Sequence, residues 1–171
     1  MITTPTPQTT MQNIQTMIDQ HGGFEAVRTR YLRLENPPLM RLVIEVIGGP
    51  YPNGAYELSV AHYAEQNGDA MRDPEITFLV VPAEQGTTWT PLTFENSYLS
   101  FYQVVAQVTP AGLVEARDPA LMRDLRDFAT QWDLNLKQQG FMAVFERQYG
   151  DQNGATHAAT VTRQGDGPQG Q

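Results

Sequence analysis

From His62 to Glu75 the chain reads His-Tyr-Ala-Glu-Gln-Asn-Gly-Asp-Ala-Met-Arg-Asp-Pro-Glu, which places one imidazole, four carboxylates and one guanidinium in fourteen residues. His62, Asp69, Asp73 and Glu75 are ligand types for a divalent metal such as manganese, zinc or iron, and such an ion would activate a bound water for hydrolysis, nuclease chemistry included. Their spacing matches no established ligand pattern: the acids of a calcium loop alternate ahead of its glycine, and the chain has no His-x-x-x-His pair. The competing reading gives Asn67, Gly68 and Asp69 to a turn, Asp73 to a side-chain cap and His62 to a hydrogen-bonded place at the core edge. We adopt that second reading, so no residue is assigned a catalytic role. The candidate binding residues are His62, Tyr63, Glu65, Asn67, Asp69, Arg72, Asp73 and Glu75, with Tyr102 downstream.

The residues around this stretch must position it. From Tyr56 the side chains alternate, with Tyr56, Leu58, Val60 and His62 on one face and Glu57, Ser59, Ala61, Tyr63 and Glu65 on the other. Asn67-Gly68 is the dipeptide that best supplies the two positive φ angles of a type I′ hairpin turn. Asp73-Pro74 biases the chain to extended geometry, and Ile76, Phe78 and Val80 alternate as a returning strand. Met71, Arg72 and Asp73 interrupt that alternation, so a bulge or a wider loop is expected as readily as a tight two-residue turn.

The combination of His-Tyr, Glu-Gln-Asn-Gly-Asp and Met-Arg-Asp-Pro-Glu, followed by Pro91-Leu92-Thr93-Phe94 and Phe101-Tyr102-Gln103, resembles a small bacterial family of unknown function met in plasmids, phages and other mobile elements. The likeness runs over about residues 32–105. This chain departs from the family pattern at Ala64, Ala70 and Asn96, changes that leave the hairpin intact. The resemblance implies a fold unit and a bacterial mobile-element context, and no reaction.

At 171 residues the chain suits one domain with its own core. Residues 1–10 read as a flexible arm, 11–149 as a single α+β domain and 150–171 as a disordered, glycine- and glutamine-rich tail. Thr10 is the expected cap of a short helix from Met11 to about Gln20, ended by Gly22-Gly23. Val27 to Glu35 suggests a first strand, although residues 24–30 also suit a helix, and Leu39 to Ile47 reads as a central strand. Trp89–Phe94 and Tyr98–Val108 follow as strands, then a linker over 110–119. Asp118-Pro119 starts a long helix to about Gln138, with Leu121, Leu125, Phe128, Ala129, Trp132 and Leu136 on one stripe. Phe141–Tyr149 reads as a possible last short strand. The expected fold is therefore an antiparallel meander of five to six strands packed by a short N-terminal and a long C-terminal helix.

Composition narrows the function. The chain has no cysteine, which removes disulfide and thiolate chemistry, and none of Ser59, Ser97 and Ser100 sits in a nucleophile elbow. It has no apolar run of membrane length, and its N-terminal stretch lacks the features of a signal peptide, so a soluble cytoplasmic protein is expected, with no membrane partner. Over residues 51–95 seven acids (Glu57, Glu65, Asp69, Asp73, Glu75, Glu84, Glu95) face Arg72 alone, a net −6 within a chain total of −8. Such a surface repels nucleic-acid phosphate and suits a basic protein surface. The preferred reading is a non-enzymatic protein-interaction module, without cofactor, acting through the acidic hairpin or the aromatic face of Tyr98 and Tyr102. The alternatives are the metal-dependent hydrolase above and a small-molecule or nucleotide sensor that stacks its ligand on Trp89 or Tyr102.

Overall fold

A computed structural model describes residues 11–161 of the chain, with side chains to residue 151. The arm expected at 1–10 and the last ten residues of the expected tail lie outside that range.

Six antiparallel strands run in sequence order across one sheet: β1 Leu32–Leu34, β2 Arg41–Gly48, β3 Tyr56–Gln66, β4 Asp69–Val81, β5 Thr88–Asn96 and β6 Phe101–Val104. A two-stranded ribbon follows, β7 Ala106–Val108 with β8 Val114–Ala116. The helices are α1 Gln12–His21, α2 Phe24–Thr29, α3 Pro119–Gln138 and α4 Phe141–Val161. The chain is thus the expected α+β meander with helices at both ends.

One sheet face forms the core. Leu32, Leu34, Leu42, Ile44, Leu58, Val60, Ile76, Phe78 and Val80 are all fully buried, and α1, α3 and α4 pack together over them. Burial of each such side chain contributes about 1.5–3 kcal/mol. α1 buries Ile14, Met17 and Ile18 at helical spacing and ends at Gly22, whose φ of 118° is the left-handed conformation a helix stop requires. On α3, Asp118 accepts the Ala120 and Leu121 amides at 3.1 and 3.0 Å, and Leu125, Ala129, Trp132 and Leu136 are buried as the stripe predicts.

The cap expected at residue 10 lies outside the described residues; the N-cap position of α1 is Met11, which makes no side-chain cap bond, and Asp133 of α3 accepts the Asn13 and Ile14 amides. Four local expectations need correction. Val27 belongs to a helix, because Phe24 and Val27, one helical turn apart, both bury their side chains. The strand expected over Tyr98–Val108 is broken, since the Asn96 side chain accepts the Leu99 amide at 3.2 Å and winds Ser97–Leu99 into a 3₁₀ turn. The linker at 110–119 contains β8, which pairs Val114 with Val108. Finally, Phe141–Tyr149 is the start of α4 rather than a strand, and the helix continues past Gly150 to Val161; Phe141, Val144, Phe145 and Tyr149 are buried at helical spacing. Among the described residues, no helix is long and apolar enough to cross a membrane.

Candidate functional site

The central hairpin folds as its residues dictate. Asn67 and Gly68 take φ of 54° and 86°, and Gln66 stands opposite Asp69, so the reversal is the tight two-residue turn. Ala61 then pairs with Glu75 but Tyr63 with Arg72, which leaves His62 facing both Asp73 and Pro74 in a bulge. The tight turn and the bulge, expected as alternatives, are both present, and the wider loop is not.

His62 points into the helix-covered face. Its ring lies 5.5 Å from those of Trp132 on α3 and Phe141 on α4, and Nδ1 is 3.4 Å from the Arg41 carbonyl. Burial holds its pKa below the usual histidine value, against the opposing pull of the Arg41 and Met40 carbonyls and of the Asp73 charge, so the ring is neutral at pH 7. Glu75 lies on the other face, where its Oε2 accepts from Ser59 Oγ at 3.0 Å and from the Tyr63 hydroxyl at 3.3 Å. Asp73 accepts from Asn96 Nδ2 at 2.7 Å, and Asp69 is exposed at the turn. The four side chains considered as metal ligands do not converge, and among the described residues no three His, Asp or Glu side chains are grouped to hold an ion.

Tyr63, Arg72 and Glu75, by contrast, are brought together on the outward face. Arg72 Nε donates to the Tyr63 hydroxyl at 3.1 Å and lies 3.1 Å from Glu75 Oε2, while Nη1 is 3.5 Å from Glu95. The guanidinium carbon also sits 5.5 Å from the Tyr63 ring centroid. Glu75 and Glu95 are direct cross-strand partners, so Arg72 separates two like charges that would otherwise face each other. Ser97 Oγ accepts the Arg72 amide at 3.0 Å and donates to Glu95 at 3.3 Å.

The electrostatics of this cluster favour a charged Arg72 and a protonated Tyr63. The hydrogen bond to Tyr63 raises the Arg72 pKa further above its ordinary value, despite partial burial. Burial is also the main cause that raises the Tyr63 phenol, with the Glu75 charge adding and Arg72 opposing. A charged guanidinium held between a phenol and two carboxylates makes a clamp across the hairpin. Ser59, Glu95, Asn96 and Ser97 are not among the candidate binding residues read from the sequence; alternation puts Ser59 on the same face as Tyr63, but only the β4–β5 register brings Glu95 in.

Residues 12–142 match the family described as Domain of unknown function (DUF6908). The chain belongs to this family. The matched range takes in all eight strands, α1 to α3 and the first two residues of α4. No curated protein and no solved structure matches the chain.

The DUF6908 domain treats its two sheet edges differently. At β1, the Arg33 amide donates to the Tyr149 hydroxyl at 3.1 Å and the Glu35 amide to Gln148 Oε1 at 3.0 Å, while Gln148 Nε2 and the Tyr149 hydroxyl donate back to the Arg33 carbonyl. Two side chains of α4 thereby stand in for a missing strand. At β6, one side pairs with β5, and among the described residues nothing bonds to the other. Around that open edge Tyr98, Leu99, Phe101, Tyr102 and Phe128 are 46, 75, 45, 62 and 46 % exposed. Phe101 and Phe128 both pack edge-on against Phe94, which joins the patch across from the strand to α3. Trp89 has no part in it: the ring is buried and its Nε1 donates to Gln15 at 2.9 Å, so it offers no stacking surface to a ligand.

Proposed function

We propose that the DUF6908 domain is a non-enzymatic protein-interaction module of a bacterial mobile element, acting in the cytoplasm and taking an extended segment of a partner protein along the β6 edge. The observation that carries this reading is the contrast between a β1 edge capped by Gln148 and Tyr149 and a β6 edge left open among exposed aromatic side chains. Open, flat edges invite pairing with another chain, and natural proteins normally blunt them with charge, proline or a covering element. β6, Phe-Tyr-Gln-Val, carries neither charge nor proline although the chain as a whole is strongly acidic. An added strand would gain main-chain hydrogen bonds from β6 and apolar anchorage from Tyr102 and Leu99.

The acidic surface over residues 51–95 favours a basic partner and disfavours nucleic-acid phosphate. Tyr102→Ala and Leu99→Ala test the reading. Both side chains are solvent-exposed, so thermal stability should be unchanged, whereas retention of a co-purifying partner should fall by about tenfold, as for an interface anchor. Retention unaffected by both substitutions would remove the β6 edge as the binding surface.

A further inference from the structure

At the other end of the outward face, β1 to β4 and the residue ahead of β1 form a groove of about 440 Å³ bounded by Tyr31, Arg41, Val43, Tyr63, Glu65 and Ala70. This volume falls within the usual range for small-molecule sites. Arg41 stands directly opposite Tyr63, and Glu65 is the next residue on the same face of β3, which makes it a diagonal neighbour of Arg41. Among the described residues, neither the Arg41 guanidinium nor the Glu65 carboxylate makes an ion pair or a side-chain hydrogen bond. The other two arginines on this face are engaged, Arg33 with Glu35 at 2.7 Å and Arg72 with Glu75 at 3.1 Å.

We propose that this groove binds a small aromatic zwitterion of the size of an aromatic amino acid. A carboxylate meets Arg41, whose planar fork matches it in two parallel hydrogen bonds. An ammonium on the neighbouring carbon meets Glu65. The ring lies over Val43 and Ala70, between the phenols of Tyr63 and Tyr31. Tyr63 is a fixed wall, because its hydroxyl is held by Arg72 and Glu75, so little ordering is needed on binding. The Arg41 backbone carbonyl faces the buried His62 ring, with Nδ1 at 3.4 Å. The lining charges balance, Arg33 and Arg41 against Glu45 and Glu65, so a simple anion or cation gains less than a molecule that carries both charges. The site is distinct from the β6 edge and does not depend on it.

The test uses three probes on the isotope-labelled full chain: L-phenylalanine, N-acetyl-L-phenylalanine, which keeps only the carboxylate, and L-phenylalaninamide, which keeps only the ammonium. L-Phenylalanine should shift the amides of Val43, Ala64 and Ala70 saturably, and each single-charge probe should bind about fivefold more weakly, the worth of one lost exposed ion pair. Arg41→Gln should abolish the preference over phenylalaninamide, and Glu65→Gln the preference over the acetylated probe. Absence of saturable shifts in this groove, equal binding of the three probes, or preferences that survive both substitutions would overturn the proposal. Glu65→Gln sits at an exposed position, so its result stands even if the Arg41 variant folds poorly.

Discussion

Tyr149 closes the outer edge of β1 against Arg33: its hydroxyl accepts the Arg33 amide at 3.1 Å and donates to the Arg33 carbonyl at 3.3 Å. One phenol on α4 serves two backbone groups of this edge, sharing the Arg33 carbonyl with Gln148 Nε2. Tyr149→Phe should lower stability by about 0.5–1.5 kcal/mol in denaturant unfolding and speed hydrogen exchange of the Arg33 amide, since water replaces the lost partner. An unchanged exchange rate would show that the phenol does not protect this edge.

Arg72 stands between two carboxylates that are cross-strand partners, Glu75 and Glu95. Arg72→Ala should therefore destabilise the domain by about 1–2 kcal/mol, more at low salt than at high salt. Adding Glu95→Gln to that variant should restore part of the loss. Arg72→Lys should rescue poorly, because the Nε bond to Tyr63 needs the guanidinium.

Asp133 caps a helix 119 residues away in sequence, accepting the Ile14 amide at 3.1 Å and the Asn13 amide and side chain at 3.1 and 2.9 Å. Burial keeps its pKa above the usual aspartate value even though these donors pull it down. Asp133→Ala should cost about 1–3 kcal/mol, measured by chemical denaturation, because α1 loses its cap and buried amides lose their acceptor.

His62 sets an acid limit on stability. Its folded pKa lies below the unfolded value of 6.5, so the unfolded chain binds more protons in that interval. Its contribution is complete above pH 6.5 and falls away as the pH drops through the folded pKa. His21, also lowered chiefly by burial, adds a slope of the same sign. Unfolding free energy measured between pH 7.5 and pH 5 should therefore fall with acid, and His62→Gln should reduce that slope without removing it.

Local chemistry made much of this fold legible. Asn67-Gly68 and Asp118-Pro119 carry their conformations within two residues, and both act as read. Alternation along β3 correctly sent His62 to the apolar face and Tyr63 to the other. What escaped depended on distant partners: the cap of α1 comes from α3, and Glu95 reaches Arg72 only through strand register. The start of α4 is also written in the sequence: Phe141, Val144, Phe145 and Tyr149 have helical spacing, although so short an apolar run suits a strand as well. The open β6 edge could not be seen until the neighbour on each side of every strand was known.

The most direct measurement places a photoreactive phenylalanine analogue at position 102, on the open edge, and separately at position 33, on the edge closed by Tyr149, in cells that naturally make the protein. A discrete cross-linked partner from position 102, absent from position 33, is the predicted result. No adduct from position 102, or the same adducts from both positions, would contradict recognition through the β6 edge.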